Sequence, residues 1–525
     1  MSGRHAPGLA LALVLFYAAG FRLAVLDRPF DYDAEGTSAA QYGMLARSYL
    51  RFDLHETHGM PVLTVGRLPA APIVSYPDHP PFIPAVILPF YAAFGVGEWQ
   101  TRLPISILTL AAIFVLYRLL AVVAGPRAGL SAAALFAGSP MILTFGGMPE
   151  VISTPLILFV LLSVLTYLRF HGRPGASTLV PFLATFALAG LCDWPAFVIV
   201  PVFVVHFAIT RPRTEWRWIV GFGVGATALF AALYAYVALA TNSPWYWMLQ
   251  LFARHSSVTG GHDFTLAQWL ASAYALNRML HTLVLLVPCG LWLMLFGLRW
   301  RRSQPGATVA LLLLAWGVLC ILTATKTAYS HEFMWIVLTP GIAVSTALLV
   351  EWLFEAAEWR GSAHLMATAT ALAVAVFASW TGYTTLRTLY PATPLAPFTP
   401  MEMGDAIRAA APGPDDLALV VGSDGGPGAQ MWFYGDRALR VNAWTITDVE
   451  DRVRADTADL LFDFRVQPWD ATAAGIVFPR RWEGGFGNIR TYLEGRYPAV
   501  SLPSRLSGKF EVFRVPQGSS GELRN

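Results

Sequence analysis

Two carboxylates two positions apart, Asp33 and Glu35 in DYDAEG, stand beside a stretch with helical spacing, and an acid followed by an imidazole, Asp78 and His79, closes in on the prolines of SYPDHPPF. A carboxylate of the first kind can take a proton from an attacking hydroxyl or amine, help typically worth about 10² to 10⁴ in rate. An acid and an imidazole can share a divalent ion or meet a phosphate, although two such groups are fewer than a metal site needs. Glu150, Arg254, His255, Lys326, His331 and Glu332 extend the same inventory. Each has a plainer reading as well: Asp33 and Glu35 as helix-start acids, Arg254 and His255 as side chains reaching from a membrane surface to water, Lys326 as an ordinary interfacial lysine.

The elements that must position these groups are membrane helices. The chain has 525 residues, 55% of them hydrophobic and 13% charged, with a mean hydropathy of +0.52. A soluble protein of that composition would expose apolar surface with nothing to cover it. Apolar runs of roughly 17 to 24 residues recur from Gly8 to Leu386, each long enough to cross a hydrocarbon layer about 30 Å thick. A net charge of +3 with no basic stripe excludes nucleic acid as a partner. Cys192, Cys289 and Cys320 lie in or beside apolar runs without C-x-x-C spacing, so neither a disulfide framework nor a thiolate zinc site is expected. The run from Ala6 to Leu26 is long for a signal peptide and reads as an uncleaved first helix.

Taking the arginine-bearing short loops as cytoplasmic orders about eleven crossings, near 6–26, 103–119, 128–146, 150–168, 178–192, 195–209, 218–240, 279–298, 306–324, 331–352 and 364–386. The N-terminus is then inside and the C-terminus outside, in a cell (inner) membrane. Phe82 to Gly97 does not fit as a span, because counting it would throw Arg118, Arg127, Arg169 and Arg173 outside. It is also short and carries Pro84 and Pro89, so a partly inserted or interfacial helix is expected there. In this topology Asp33, Glu35, His55, His58, Asp78, His79, Glu150, Asp193, His255, His262, Lys326, His331 and Glu332 all reach the outer face. The inner face is mostly arginine, with a solvated run of Glu351, Glu355 and Glu358. Ionisable groups massed at one surface of a helical bundle suggest a site in a wet cavity.

The long first outer loop, 27–81, opens with a helix starting between Asp33 and Thr37 whose apolar residues share one side, as a helix lying on the membrane would. The second outer loop carries Trp245, Tyr246, Trp247, Phe252 and Trp269 at headgroup depth around Arg254 and His255. Lys326, one of only two lysines, stands at a third outer segment, TATKTAYSHEF. From about Pro391 the composition changes, dividing a transmembrane domain at 1–390 from a small soluble extracytoplasmic α/β domain at 391–525. Helix patterns at MEMGDAIRAAA, GAQMWFYG and NIRTYLEGRY alternate there with strand patterns at LALVVG, GIVF and KFEVFRV. GSDGGPG departs from the G-x-G-x-x-G spacing and reads as a loop.

The segments DYDAEGTSAAQYGMLARSYL, YPDHPPF, GEWQTRLPISIL and AYSHEFMWIVLTPGIA, in that order, resemble the family 39 type of polyprenyl-phosphate-sugar glycosyltransferases. These have the C-type membrane fold and include protein O-mannosyltransferases and aminoarabinose transferases; the similarity runs over roughly residues 10 to 350. The resemblance implies a polytopic helical membrane enzyme that moves a sugar from a polyprenyl-phosphate lipid to a glycan, lipid or protein acceptor. Asp33-Ala-Glu35 resembles the acidic motif of the first outer loop, with Asp33 preferred as base. Asp78 matches the acid before the proline that opens the next helix, and His255 is similar in placement to a histidine that shares a divalent metal with that acid. Asp78, His79, Glu150, Arg254, Lys326 and His331 are the expected substrate contacts, with the lipid phosphate near Lys326 or Arg254 and the tail between helices. No nucleotide is expected, since the donor lipid is itself activated, and single displacement inverts the anomeric centre. The chain departs from its relatives at three places: His79 stands where a lysine is common, Cys192-Asp193 where a Thr-Lys step is common, and Thr154-Pro155 where an Asp-Pro pair is common, with Glu150 as a stand-in one turn earlier. A lipid-linked sugar flippase or transporter is the alternative, but such proteins tend to show repeated halves and mid-membrane charges, neither of which is evident here.

Overall fold

The computed structural model describes residues 6–66, 73–243, 264–297, 305–359, 363–390, 398–422, 428–454, 457–459, 466–468, 473, 475–480 and 483–516. Among them, seven helices are long and apolar enough to cross a bilayer: Pro7–Val25, Glu98–Ala124, Thr154–Gly172, Arg213–Ala240, Pro305–Thr323, Glu332–Glu358 and Ala369–Leu389. Leu266–Leu280 and Thr282–Leu295, bent by 110°, make an eighth if they are one broken span. The bend falls where Thr282 takes φ 63°, a left-handed conformation that is costly for a β-branched residue.

Of the about eleven expected crossings, seven or eight are thus helices of full spanning length among the described residues. The other three expected crossings are helical but shorter. Ala176–Cys192 has 17 residues, and Trp194–Val198 is a tight turn leading into Ile199–Thr210. The 128–146 run is broken into Pro126–Ala137 and Pro140–Phe145, because Pro140 cannot donate into the first helix and Ser139 caps the second. Such a break leaves carbonyls needing donors in an apolar setting. The Thr381 hydroxyl supplies one to the Gly138 carbonyl at 2.7 Å, while Arg22, buried in the first span, donates further along the second helix to the Ile142 carbonyl and, at 2.9 Å, to that of Leu143.

The helix expected in the first loop is Ala34–Arg51, and the short apolar helix after YPDHPPF is Phe82–Phe94, at 13 residues too short to span. On the arginine-rich face the glutamate run is not simply solvated. Arg127 binds Glu351 at 2.6 Å and also holds Glu358, tying helix Pro126–Ala137 to helix Thr339–Trp359.

The C-terminal residues form a six-stranded mixed sheet in the order β4-β3-β2-β1-β5-β6. Its strands are β1 (Leu417–Val421), β2 (Ala438–Ala443), β3 (Thr457–Asp459), β4 (Val466–Pro468), β5 (Gly475–Pro479) and β6 (Phe510–Arg514). Central β1 is apolar and buried at all five positions and pairs in parallel with β2 and β5, as strands covered on both faces do. The outer pairings are antiparallel. By internal contacts the chain forms two compact units. One comprises Met1–Asp27, Pro77–Ile83 and Arg102–Tyr390; the other comprises Arg28–Tyr76, Pro84–Thr101 and Pro391–Asn525.

Candidate functional site

The unit that contains the first loop gathers Asp33 and Glu35 on one cation. Asp33 is the N-cap of helix Ala34–Arg51: its Oδ1 accepts the Gly36 amide at 2.6 Å, satisfying one of the four donors a helix start leaves open. Its Oδ2 takes a hydrogen bond from Arg28, whose other nitrogen reaches Glu35 Oε2 at 3.2 Å. Arg28 and Glu35 are buried, while Asp33 is 28% exposed and is the more accessible of the two acids. The helix-start reading of Asp33 is thus observed, and the same carboxylate stands beside a second acid.

Gly36 makes this turn possible. A Cβ there would lie 2.2 Å from the carbonyl oxygen and 2.5 Å from the nitrogen of Asp31, backbone atoms that cannot swing aside. Gly36→Ala is expected to destabilise the purified chain by about 1–3 kcal/mol, the usual cost of overpacking. A lowered thermal midpoint in lipid nanodiscs checks this, and an unchanged midpoint would mean that the turn yields to a methyl group without cost.

In the other unit, Asp78 and His79 meet residues from two further helix ends. His79 Nδ1 lies 2.7 Å from Asp193 Oδ1, and Trp194 donates its indole N–H to the Asp78 carbonyl at 2.8 Å. Asp193 is fully buried, with its Oδ2 lacking a hydrogen-bond partner among the described residues. Burial pushes the His79 pKa down, but the charge and hydrogen bond of Asp193, with smaller contributions from the charges of Asp78 and Glu150, outweigh it and raise the pKa to about 9. The ring is therefore an imidazolium at neutral pH. Glu150 is buried and accepts the Val151 amide at 2.8 Å.

Two positions at which the sequence is expected to part from the family pattern thus coincide in space, His79 on the YPDHPPF turn and Asp193 at the end of helix Ala176–Cys192. Asp193 was not among the expected substrate contacts. Its signal in the sequence is a lone acid, LCDWP, closing an apolar helix in the membrane. At the third such position the Thr154 hydroxyl bonds Thr109 at 2.6 Å and the Gly146 carbonyl at 3.1 Å.

The remaining expected contacts stand on other elements. Lys326 is exposed on the short helix Thr325–Ser330, and His331, also exposed, bonds the Ser330 hydroxyl at 2.7 Å. Arg254 and His255 lie outside the described residues, as do Trp245, Tyr246, Trp247, Phe252 and most of GSDGGPG. Among the described residues no three His, Cys, Asp or Glu side chains gather as metal ligands.

Residues 78–247 match the family described as dolichyl-phosphate-mannose-protein mannosyltransferase. A search of curated proteins returns no significant match. Among solved structures, the chain is similar to ArnT from Cupriavidus metallidurans bound to undecaprenyl phosphate, at 15% identity and a TM-score of 0.64, covering 96% of this chain and 99% of that one. It is also similar to the apo oligosaccharyltransferase of Archaeoglobus fulgidus, at 13% identity and a TM-score of 0.60, covering 95% of this chain and 73% of that one. AglB from the same organism, in complex with an inhibitory peptide and a dolichol-phosphate, gives 13% identity and a TM-score of 0.59 over 94% and 73%. Identities this low speak for the fold, and the family match adds the sequence signature of the segment that begins at Asp78. The chain thus has the multi-pass membrane fold of these C-type glycosyltransferase structures, and its residues 78–247 carry the sequence signature of the mannosyltransferase family.

Proposed function

We propose that the chain transfers a sugar from a polyprenyl-phosphate donor to an extracytoplasmic glycan, lipid or protein acceptor by single displacement, with inversion at the anomeric carbon. The observation that carries this reading is the family match starting at Asp78, on a chain that follows ArnT, a protein solved with undecaprenyl phosphate, over nearly its whole length. AglB, solved with a dolichol-phosphate, supports the same donor class.

Asp33, by preference over the more buried Glu35, takes the proton of the acceptor as it attacks C1 of the sugar. The bond from C1 to the phosphate oxygen breaks, and the leaving phosphate keeps the electron pair. His79, charged at neutral pH, is a cation suited to that phosphate, with Arg254, Lys326 and His331 as further contacts and Asp78 and Glu150 completing the polar lining. Asp78 and His255 would supply two ligands to a divalent ion, which would add charge stabilisation to the leaving phosphate; none of these steps is routed through it. The N-terminus lies in the cytoplasm and the soluble domain outside, in the inner membrane, in keeping with the arginine distribution.

The test is the purified chain in nanodiscs supplied with polyprenyl-phosphate-linked sugars and candidate acceptors, followed by mass spectrometry. Acceptor-dependent release of free polyprenyl phosphate, with an inverted anomer in the product, is the expected result. Movement of the intact lipid-linked sugar across proteoliposomes without cleavage would replace this reading with that of a flippase.

A further inference from the structure

The turn that carries Asp33 and Glu35 is irregular from Arg28 to Asp33, and irregular backbone must find partners for N–H and C=O groups that no helix or sheet ladder satisfies. It finds them some 400 residues away along the chain, on the helix Gly428–Gly435 of the C-terminal region, which belongs to the same compact unit. The Phe30 amide donates to the Tyr434 hydroxyl at 2.8 Å, and that hydroxyl donates onward to Glu98 Oε1, also at 2.8 Å. The buried Gln430 amide donates to the Asp31 carbonyl at 2.7 Å and to the Thr37 hydroxyl at 3.0 Å, gripping the turn on both sides of the two acids.

The helix making these bonds is itself fixed to the first-loop helix. Arg47 of Ala34–Arg51 donates to the Trp432 and Phe433 carbonyls at 3.0 and 3.1 Å, in the last turn of Gly428–Gly435, and Arg47 and Arg51 both pair with Asp436. Phe30, fully buried, meets Phe433 edge to face at 4.6 Å. Gly43 permits the approach, since a Cβ there would lie 2.9 Å from both the Phe433 ring and the Tyr91 hydroxyl.

We infer that the C-terminal domain is the scaffold of the acidic turn, with Tyr434 and Gln430 as positioning residues that hold Asp33 and Glu35 in their working geometry. The inference deepens the transferase reading and rests on it for the word working. The grip itself can be read without any activity.

The experiment uses the full chain in nanodiscs with Tyr434→Phe and Gln430→Met, each of which keeps side-chain volume while removing the bonding atoms. Amide exchange in peptides spanning 29–37 is expected to quicken about 10- to 100-fold, with β1 and β5 unchanged. For transfer, kcat is expected to fall about tenfold or more with the KM for donor lipid within about twofold, and Tyr434→Phe is expected to cost nothing further in the residual rate of an Asp33→Asn background. Unchanged exchange at 29–37 overturns the inference, and so does equal quickening in β1 and β5, which would mean general destabilisation. Additive losses in the double variant overturn it too, because Tyr434 would then not act through Asp33. If the wild-type chain transfers no sugar, the transferase reading falls while the exchange result still decides the scaffold.

Discussion

Replacing Asp33 by Asn is expected to slow sugar transfer by about 10²- to 10⁴-fold, the usual worth of a general base, while costing no more than about 1–2 kcal/mol of stability. The two effects separate because Asp33 does two jobs. As a cap it accepts the Gly36 amide, and asparagine caps helices as well as aspartate does. As a partner of Arg28 it is one of two carboxyl groups facing one guanidinium, so its loss leaves Arg28 paired with Glu35 and no buried cation stranded. What an amide cannot do is take a proton. Single-turnover transfer from a lipid-linked sugar, with a thermal melt of the same sample, reads both quantities. Glu35→Gln in parallel assigns the role: a larger loss there would make Glu35 the base, and wild-type rates in both variants would remove the base from this turn.

The membrane class was legible because its signal is long and one-dimensional. Apolar runs state how many helices there are, and the first-loop helix announced itself through its N-cap acid. Span length was less legible: hydropathy does not register that Pro140 breaks one run or that Thr282 turns another through 110°. In the C-terminal region the helix GAQMWFYG and the strands β1, β5 and β6 could be read from their patterns. Strands β3 and β4, three residues each, are too short to carry a period, and β2 holds a buried Arg440 that disguises it. The site was legible as residue types and illegible as partnerships. Nothing local in DYDAEG says that Gln430 and Tyr434 hold it, nor does YPDHPPF say that its histidine is paired with Asp193.

That pairing sets the second large expected effect, a dependence on pH. The His79 pKa stands at about 9 in the folded chain against about 6.5 for a free imidazole, so the folded state holds the proton more tightly. The stabilisation this brings is complete below about pH 6.5, declines as pH rises through the window between the two values, and is gone above about pH 9. A gap of that size corresponds to roughly 2–3 kcal/mol, toward the lower figure because a fifth of the ring meets solvent. If the imidazolium faces the leaving phosphate, kcat/KM should fall with an apparent pKa near 9 on the alkaline side. Asp193→Asn takes away the main influence that raises the pKa and leaves burial, which lowers it. The alkaline limit should then move down by two units or more, with activity at pH 7.5 falling about tenfold or more and partly returning at pH 6. His79→Gln should fare worse in stability than Asp193→Asn, because it leaves a fully buried carboxylate without its cation, at a cost of about 3–5 kcal/mol. His79→Lys restores a cation whose charge does not depend on Asp193, so in that variant Asp193→Asn should no longer shift the pH profile. An alkaline limit in Asp193→Asn identical to that of the wild type would detach the pair from phosphate handling and leave it a structural link between the YPDHPPF turn and helix Ala176–Cys192.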